Sequence, residues 1–277
     1  WQSVFKLLEN INSEVSNLGH EFSVIIVNDA STESKPELTT SLDNLNSIKI
    51  INMRENRGHA RCNATGLKHI FENEEFDYVI PMDGDGEDRP EEIKQLVDNL
   101  NYHPDKPIVG ERIKRSEGIF FKLCYFIHKL ITYTFTGQSI KFGNYSCLPK
   151  SIVERMINEK ATWSSFSGAL AKVSKDRATI PSERGSRYFG PSKMSFKNLT
   201  IHSLAIISVF KFNVLLRSIM FLIVYMFLIH QNISIIMLIP FPLIVLLVVL
   251  VFLTSKRESL GEMKESFSNI LNIDNIK

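Results

Sequence analysis

Cysteine is scarce in this chain: Cys62, Cys124 and Cys147 are the only three among 277 residues. An odd, unpatterned set offers neither a disulfide framework nor the paired spacing of a zinc site. Reduced thiols in a cytosolic compartment are the expected state. Internal repeats and low-complexity tracts are also missing. With 44% hydrophobic and 22% charged residues, the composition excludes a disordered, collagen-like or coiled-coil chain. No secretory signal sequence is visible near Trp1.

Net charge is nearly absent, at a formal +2, but the charges are not evenly spread. Residues 1–109 carry ten Lys/Arg against twenty Asp/Glu; 110–150 carry seven against two, and 172–217 nine against two. Such a split gives one acidic and one basic working surface. The basic part directly precedes the most apolar stretch, which points to a membrane surface or a phosphate before nucleic acid.

That apolar stretch, 214–253, has Arg217 as its single ionised residue. A bilayer span needs ~20 apolar residues, so two spans are expected, 214–229 and 233–253, joined by His230-Gln231-Asn232. Arg217 is expected to snorkel to the headgroups, and Pro240 and Pro242 to kink the second span. Lys211 precedes the pair and Lys256-Arg257 follows it. The positive-inside rule then sets both ends, and the large N-terminal region, in the cytoplasm, with a bacterial inner membrane the expected location.

Upstream, apolar periodicity predicts a helix over 1–18 and buried strands at 22–27, 48–53, 76–82 and 107–110. Helices are expected at about 33–45, over 58–72 and after Pro90. This alternation implies an open, mostly parallel α/β sheet. Residues 118–136, aromatic with interleaved Lys122, His128 and Lys129, read as an interfacial amphipathic helix or, almost equally, a core helix. Residues 195–213 read as a second such helix.

Three segments carry chemistry. Asn28-Asp29-Ala30-Ser31 ends the first strand, where ligands of open α/β sheets bind; it reads equally as helix capping. Asn56-Arg57-Gly58-His59 opens a helix whose N-terminus favours anions. Asp83-Gly84-Asp85-Gly86 follows a buried strand, and two carboxylates so spaced can grip one Mg²⁺ or Mn²⁺, hard cations that also bind diphosphate oxygens. His59, His69, His128 and His202 share no metal spacing and are expected to be structural or surface residues.

In this order the segments VNDAST, NRGHARCNATG and PMDGDGEDRPEEI resemble the family-2 inverting glycosyltransferases of the GT-A (Rossmann-like) fold, with Ala30 where that family usually has glycine. Gly110-Glu111-Arg112 with Arg115, the run RGSRYFGPSK over 184–193, and the terminal hairpin resemble the polyprenyl-phosphate branch, a group similar to dolichol-phosphate mannose synthase and bacterial undecaprenyl-phosphate glycosyltransferases. The resemblance covers about residues 1–255. It implies a nucleotide-sugar donor (UDP- or GDP-) held by Asn28, Asp29, Asn56, Gly58 and Asp83, and a metal at Asp83 and Asp85. Arg187 and Lys193 would clamp phosphates in catalysis, and Arg112, Arg115 and Ser192 would meet the acceptor phosphate. Lys114 and Arg184 read equally as lipid-headgroup contacts.

Residues 161–171 contain no carboxylate to serve as general base. A phosphate acceptor needs none, since it is already ionised, so a polyprenyl phosphate is the expected acceptor. Open alternatives are another lipid-linked or glycan acceptor, or a non-catalytic membrane subunit that binds lipid phosphate. Partners expected are the donor, the lipid and the membrane, with a second copy of the chain left open and nucleic acid not expected. The implied division is 1–193 catalytic domain, 194–213 interfacial helix, 214–253 hairpin and 254–277 cytoplasmic tail. The family's first strand and its nucleotide-contacting turn have no counterpart here, so weak or no activity is expected of residues 1–277 alone.

Overall fold

A computed structural model describes residues 1–114, 119–191 and 195–277. The chain opens on helix α1 (Gln2–Val15), whose Leu7, Leu8, Ile11 and Val15 recur at helical spacing and are buried. Strand β1 (Ser23–Asn28) then runs parallel to β2 (Ser47–Met53), in register from Ser23–Ser47 to Asn28–Asn52. Helix α2 (His59–Asn73), the short β3 (Tyr78–Val79), α3 (Ile93–Leu100) and β4 (Ile108–Lys114) follow. The chain continues through α4 (Ile119–Thr136), β5 (Phe142–Pro149), α5 (Lys150–Ile157), α6 (Phe166–Val173) and β6 (Ala178–Glu183). It ends with α7 (Phe196–Ser208), α8 (Lys211–Ile229), α9 (Pro240–Ser255), α10 (Leu260–Lys264) and β7 (Ile270–Asn275).

The strands form two sheets, β1-β2-β7 and β3-β5-β4-β6. The α/β architecture matches the sequence reading, but its parallel majority does not. Among the described residues only the β1–β2 and β4–β6 ladders are parallel, while β7 on β2 and β5 on both β3 and β4 are antiparallel. Strand β5 folds back on β4 and β7 arrives from the tail, so neither belongs to the β–α–β crossover that keeps strands parallel.

Three further expectations change. Residues 33–45 form no helix. Pro36 interrupts the segment, Thr39, Thr40 and Ser41 are weak helix formers, and side-chain bonds to α1 hold the chain instead: Thr40 to Glu9, and Asn44 to Asn12. The strand expected over 76–82 pairs only at Tyr78 and Val79; Ile80, Pro81 and Met82 line a cavity between the two sheets. The tail is not a free appendage, because its residues 270–275 pair with β2.

The core is built around Leu8, Leu45 and Ile48 under the first sheet and around Leu148, Val153 and Leu170 under the second, all fully or almost fully buried. Burial of this kind contributes roughly 1.5–3 kcal/mol per large side chain.

Helix α8 and the stretch Ile236–Lys264, which contains α9, are long and apolar enough to cross a membrane by length and composition, and few of their residues are buried. Nineteen residues of α8 span about 28 Å at helical rise, near the ~30 Å of a hydrocarbon core. Pro240 stands at the start of α9 rather than kinking it, a position where its missing N–H costs nothing. Arg217 is exposed, and its Nη1 donates to the Thr134 carbonyl, 3.1 Å away near the C-terminus of α4, where a cation suits the helix dipole. Residue 137 is glycine at φ of +75°, and Arg217 Nη2 stands 2.5 Å from where a Cβ would be.

Candidate active site

The loops after β1, β2 and β3 converge at one end of the sheets. Asp29 ties two of them together: its carboxylate accepts from the backbone N–H of Arg57 at 2.8 Å and of Gly58 at 2.9 Å. Asn56 returns the contact, donating Nδ2 to the Asp29 carbonyl at 3.0 Å. Asn28 braces the same strand end by donating to Asn52. Asn28, Asp29, Asn56 and Gly58 therefore form one bonded unit, whose carboxylate is committed to the loop at the head of α2. Ala30, next in line, has φ of +53°, a left-handed conformation that glycine adopts more cheaply.

The acidic loop after β3 is fixed from three directions. Asp83 Oδ1 lies 2.9 Å from His59 Nε2 on the first turn of α2, and accepts from Asn144 Nδ2 of β5 at 3.2 Å. The Asp83 N–H donates to the Asp88 carboxylate. Asp85 accepts from the Glu87 N–H with one oxygen. Its other oxygen receives Arg187 Nε at 3.0 Å and Nη2 at 2.5 Å.

The Arg184–Pro191 segment lies across this loop as a strap. Gly185 N–H donates to the Glu87 carbonyl and Tyr188 N–H to the Asp85 carbonyl. Arg184 pairs with Glu87, which ties it to the acidic loop. Tyr188 accepts from Asn10 Nδ2 of α1 at 2.7 Å, and its ring occupies the space above Gly86: a Cβ on that glycine would come within 2.5 Å of the ring. Gly86 also has φ of +88°, so both backbone and space demand glycine.

Charge and burial compete here. Burial acts to raise the Asp83 carboxyl, but the His59 hydrogen bond and charge, helped by Arg112 and Asn144, hold it well below its ordinary range. Asp88 moves the opposite way, pushed up by burial and by the charge of Asp83. Burial acts to lower His59, and its bond to Asp83 outweighs that and raises it. Close carboxylates in a buried place force one member toward neutrality.

A 2210 Å³ cavity opens on this site. Asp83, Asp85, Arg112, Arg184, Arg187 and His59 line its polar part; Ile127 and Ile131 of α4, Leu199 and Ile206 of α7 and Leu247 of α9 line an apolar part. Arg112 crosses Gly143, where a Cβ would lie 2.7 Å from its Nη2. The structure thus brings Asp83, Asp85, Arg112 and Arg187 to one chamber. Arg115, Ser192 and Lys193 lie outside the described residues.

Several residues of the site had no separate signal in the sequence. His59 and His202 were expected to be structural or surface groups, yet His59 bonds Asp83 and both line the chamber. His128 lines it too. Asn144, which also contacts His59 at 2.8 Å, sits on a strand 61 residues from Asp83. For His59 a signal existed: it is the first residue of a helix that starts at the ligand-binding end of the sheet.

Comparison with known proteins adds two findings. The chain is 29% identical over 208 residues to undecaprenyl-phosphate 4-deoxy-4-formamido-L-arabinose transferases of Salmonella paratyphi B and Salmonella newport. The match covers 72% of this chain and 60% of each relative, so the chain spans well under the full length of these proteins. The profile of Glycosyl transferase family 2 matches residues 6–153, from α1 through the acidic loop to α5. That match takes in more than half of the sequence and every loop that meets at Asp29 and Asp83, and the chain belongs to glycosyl transferase family 2.

Proposed function

We propose that the chain is a membrane-anchored inverting glycosyltransferase that moves one sugar from a UDP- or GDP-sugar to a polyprenyl phosphate on the cytoplasmic face. The observation that carries this reading is the chamber itself: an acidic loop faced by Arg187 and Arg112 continues into an apolar space walled by α4, α7 and α9. A nucleotide diphosphate and an amphiphilic phosphate could meet only where such surfaces adjoin. The names of the Salmonella relatives, which state undecaprenyl phosphate, support the acceptor.

Asp83 and Asp85 are the residues that would hold Mg²⁺ or Mn²⁺. Their hard oxygens, one residue apart on one loop, fit a divalent cation. Bound there, the ion would stabilise charge on the leaving diphosphate. Arg187, now engaged with Asp85, would turn to the diphosphate oxygens, for which its planar fork is suited. The strap that carries it would shield the reacting centre from water. His59 and Asn144 keep the Asp83 carboxylate ionised and aimed. Residues 161–171 bring Trp163, Ser164 and Ser167 to the chamber and no carboxylate, as suits an acceptor that is already an anion.

The return of the tail to the first sheet supports a hairpin with both ends on the domain's side of the membrane. The test is transfer by the purified full-length protein, with a panel of nucleotide sugars, Mg²⁺ or Mn²⁺ against chelator, and a polyprenyl phosphate against a polyprenol. Metal-dependent labelling of the phosphate alone, lost in Asp83→Asn and Asp85→Asn, is the expected result. Labelling of a hydroxyl acceptor alone would sink the acceptor assignment, and transfer unchanged in both variants would sink the enzyme reading.

A further inference from the structure

His202 is a polar side chain exposed at the wall of the chamber. It lies on α7, lines the chamber, and makes no hydrogen bond among the described residues. Its surroundings are one-sided: His59, His128 and Arg112 all act to disfavour its protonated form, and Asp83 alone among its principal neighbours opposes them. An imidazole N–H aimed into a chamber beside a guanidinium is a donor without an acceptor. A bound anion would supply that donor with an acceptor, in a hydrogen bond strengthened by the anion's charge.

Its position narrows the anion. Leu199 and Ile206 flank it on α7 at one-turn spacings, and Ile127 and Ile131 of α4 line the same chamber. A ligand that reaches His202 therefore has an apolar body on the α4–α7 side and a charged head toward Arg112. That is the chemistry of a phosphomonoester on a long hydrocarbon chain, not of a nucleotide, whose diphosphate belongs with Asp83 and Asp85 at the strap.

We infer that His202 binds the acceptor phosphate, donating to it from α7 while Arg112 meets it from β4. This rests on the proposed reading of the chain as a transferase to polyprenyl phosphate and assigns that reading a residue outside the matched family segment. Neutral imidazole supplies one directed hydrogen bond without adding a full cation beside Arg112. Phosphate binding and any charge it induces on His202 then reinforce each other.

The test is direct binding of farnesyl phosphate and farnesol to the detergent-solubilised full chain, wild type, His202→Leu and His202→Gln. Wild type should prefer the phosphate over the alcohol. His202→Leu should lose ~10-fold or more of that preference, the weight of a hydrogen bond to a charged group, while His202→Gln, which keeps a donor, should retain most of it. Binding of UDP or GDP with Mn²⁺ should be equal in all three, which also reports that the variants are folded. An intact phosphate preference in His202→Leu, or no preference in wild type, overturns the assignment. A preference lost in His202→Leu without sugar transfer by wild type keeps the phosphate site and overturns the transferase reading instead.

Discussion

Arg187 reaches Asp85 with two nitrogens, Nε at 3.0 Å and Nη2 at 2.5 Å from the same carboxylate oxygen. The contact links the strap to the acidic loop across 102 positions of sequence, and it puts a guanidinium where a divalent cation would compete for the same oxygen. Removing Arg187 should therefore have opposite effects on two measurements. In Arg187→Ala, Mn²⁺ affinity without donor should rise, by roughly two- to fivefold for a partly exposed ion pair. Sugar transfer should fall by about 10²–10³, the usual loss when one preorganised donor to a developing charge is deleted. Mn²⁺ titration and initial rates check both; a parallel fall in the two would mean that Arg187 does not compete with the metal.

Ala30 holds a left-handed conformation, φ +53°, directly after Asp29. Ala30→Gly should relieve that strain, partly offset by the greater freedom of glycine in the unfolded chain. The expected gain is about 0.5–1 kcal/mol, seen as a higher denaturation midpoint with an unchanged slope.

Gly86 is pinned by its positive φ and by the Tyr188 ring. Gly86→Ala should cost about 1–3 kcal/mol and displace the strap from the acidic loop. The same substitution in a Tyr188→Ala background should cost less, since only the backbone part of the penalty remains. Thermal midpoints of the four proteins make the cycle; equal costs in both backgrounds would show that the ring is not the obstacle.

Burial, with the neighbouring His59, His128 and Arg112, pushes the His202 pKa down to about 4 from an ordinary 6.5, Asp83 acting against them. Below pH 6.5 the unfolded chain then takes up a proton that folded His202 refuses. Its contribution to stability is constant above pH 6.5 and declines as pH falls from 6.5 toward 4. His202→Gln removes this component, so its melting temperature should fall less steeply than that of wild type across the same window. Matching slopes would place His202 in water-like surroundings.

Much of the site was legible in local pattern. Asp83 and Asp85 stand one residue apart after an apolar run, and Asp29 ends another; sheet geometry alone brings strand ends together. The hairpin was legible because forty residues with one charge have few other uses. What stayed hidden depended on contacts remote in sequence. Asn144 meets Asp83, Arg187 meets Asp85 and Tyr188 meets Gly86 through strand pairing and a strap that no period announces. The helix expected over 33–45 failed because Pro36 and bonds to α1 decide that segment, and the parallel sheet failed because β5 runs back against β4 and β7 returns from the tail against β2.

Strand β7 lies 222 positions beyond its Asn52 partner on β2 in the Asn52–Asp274 bond, with the whole apolar hairpin between them in the chain. On the proposed membrane-anchored reading, the domain would be moored to the bilayer at two points rather than one, by the entry into α8 and by the exit from α9. Lys211 and Ser255, bonded at 3.1 Å, draw those two points together. A single tether would leave the domain free to spin and tilt above the lipid. A closed double mooring would remove most of that rotation and hold the apolar mouth of the chamber at a set height and heading, so that the proposed lipid acceptor would meet the same opening each time.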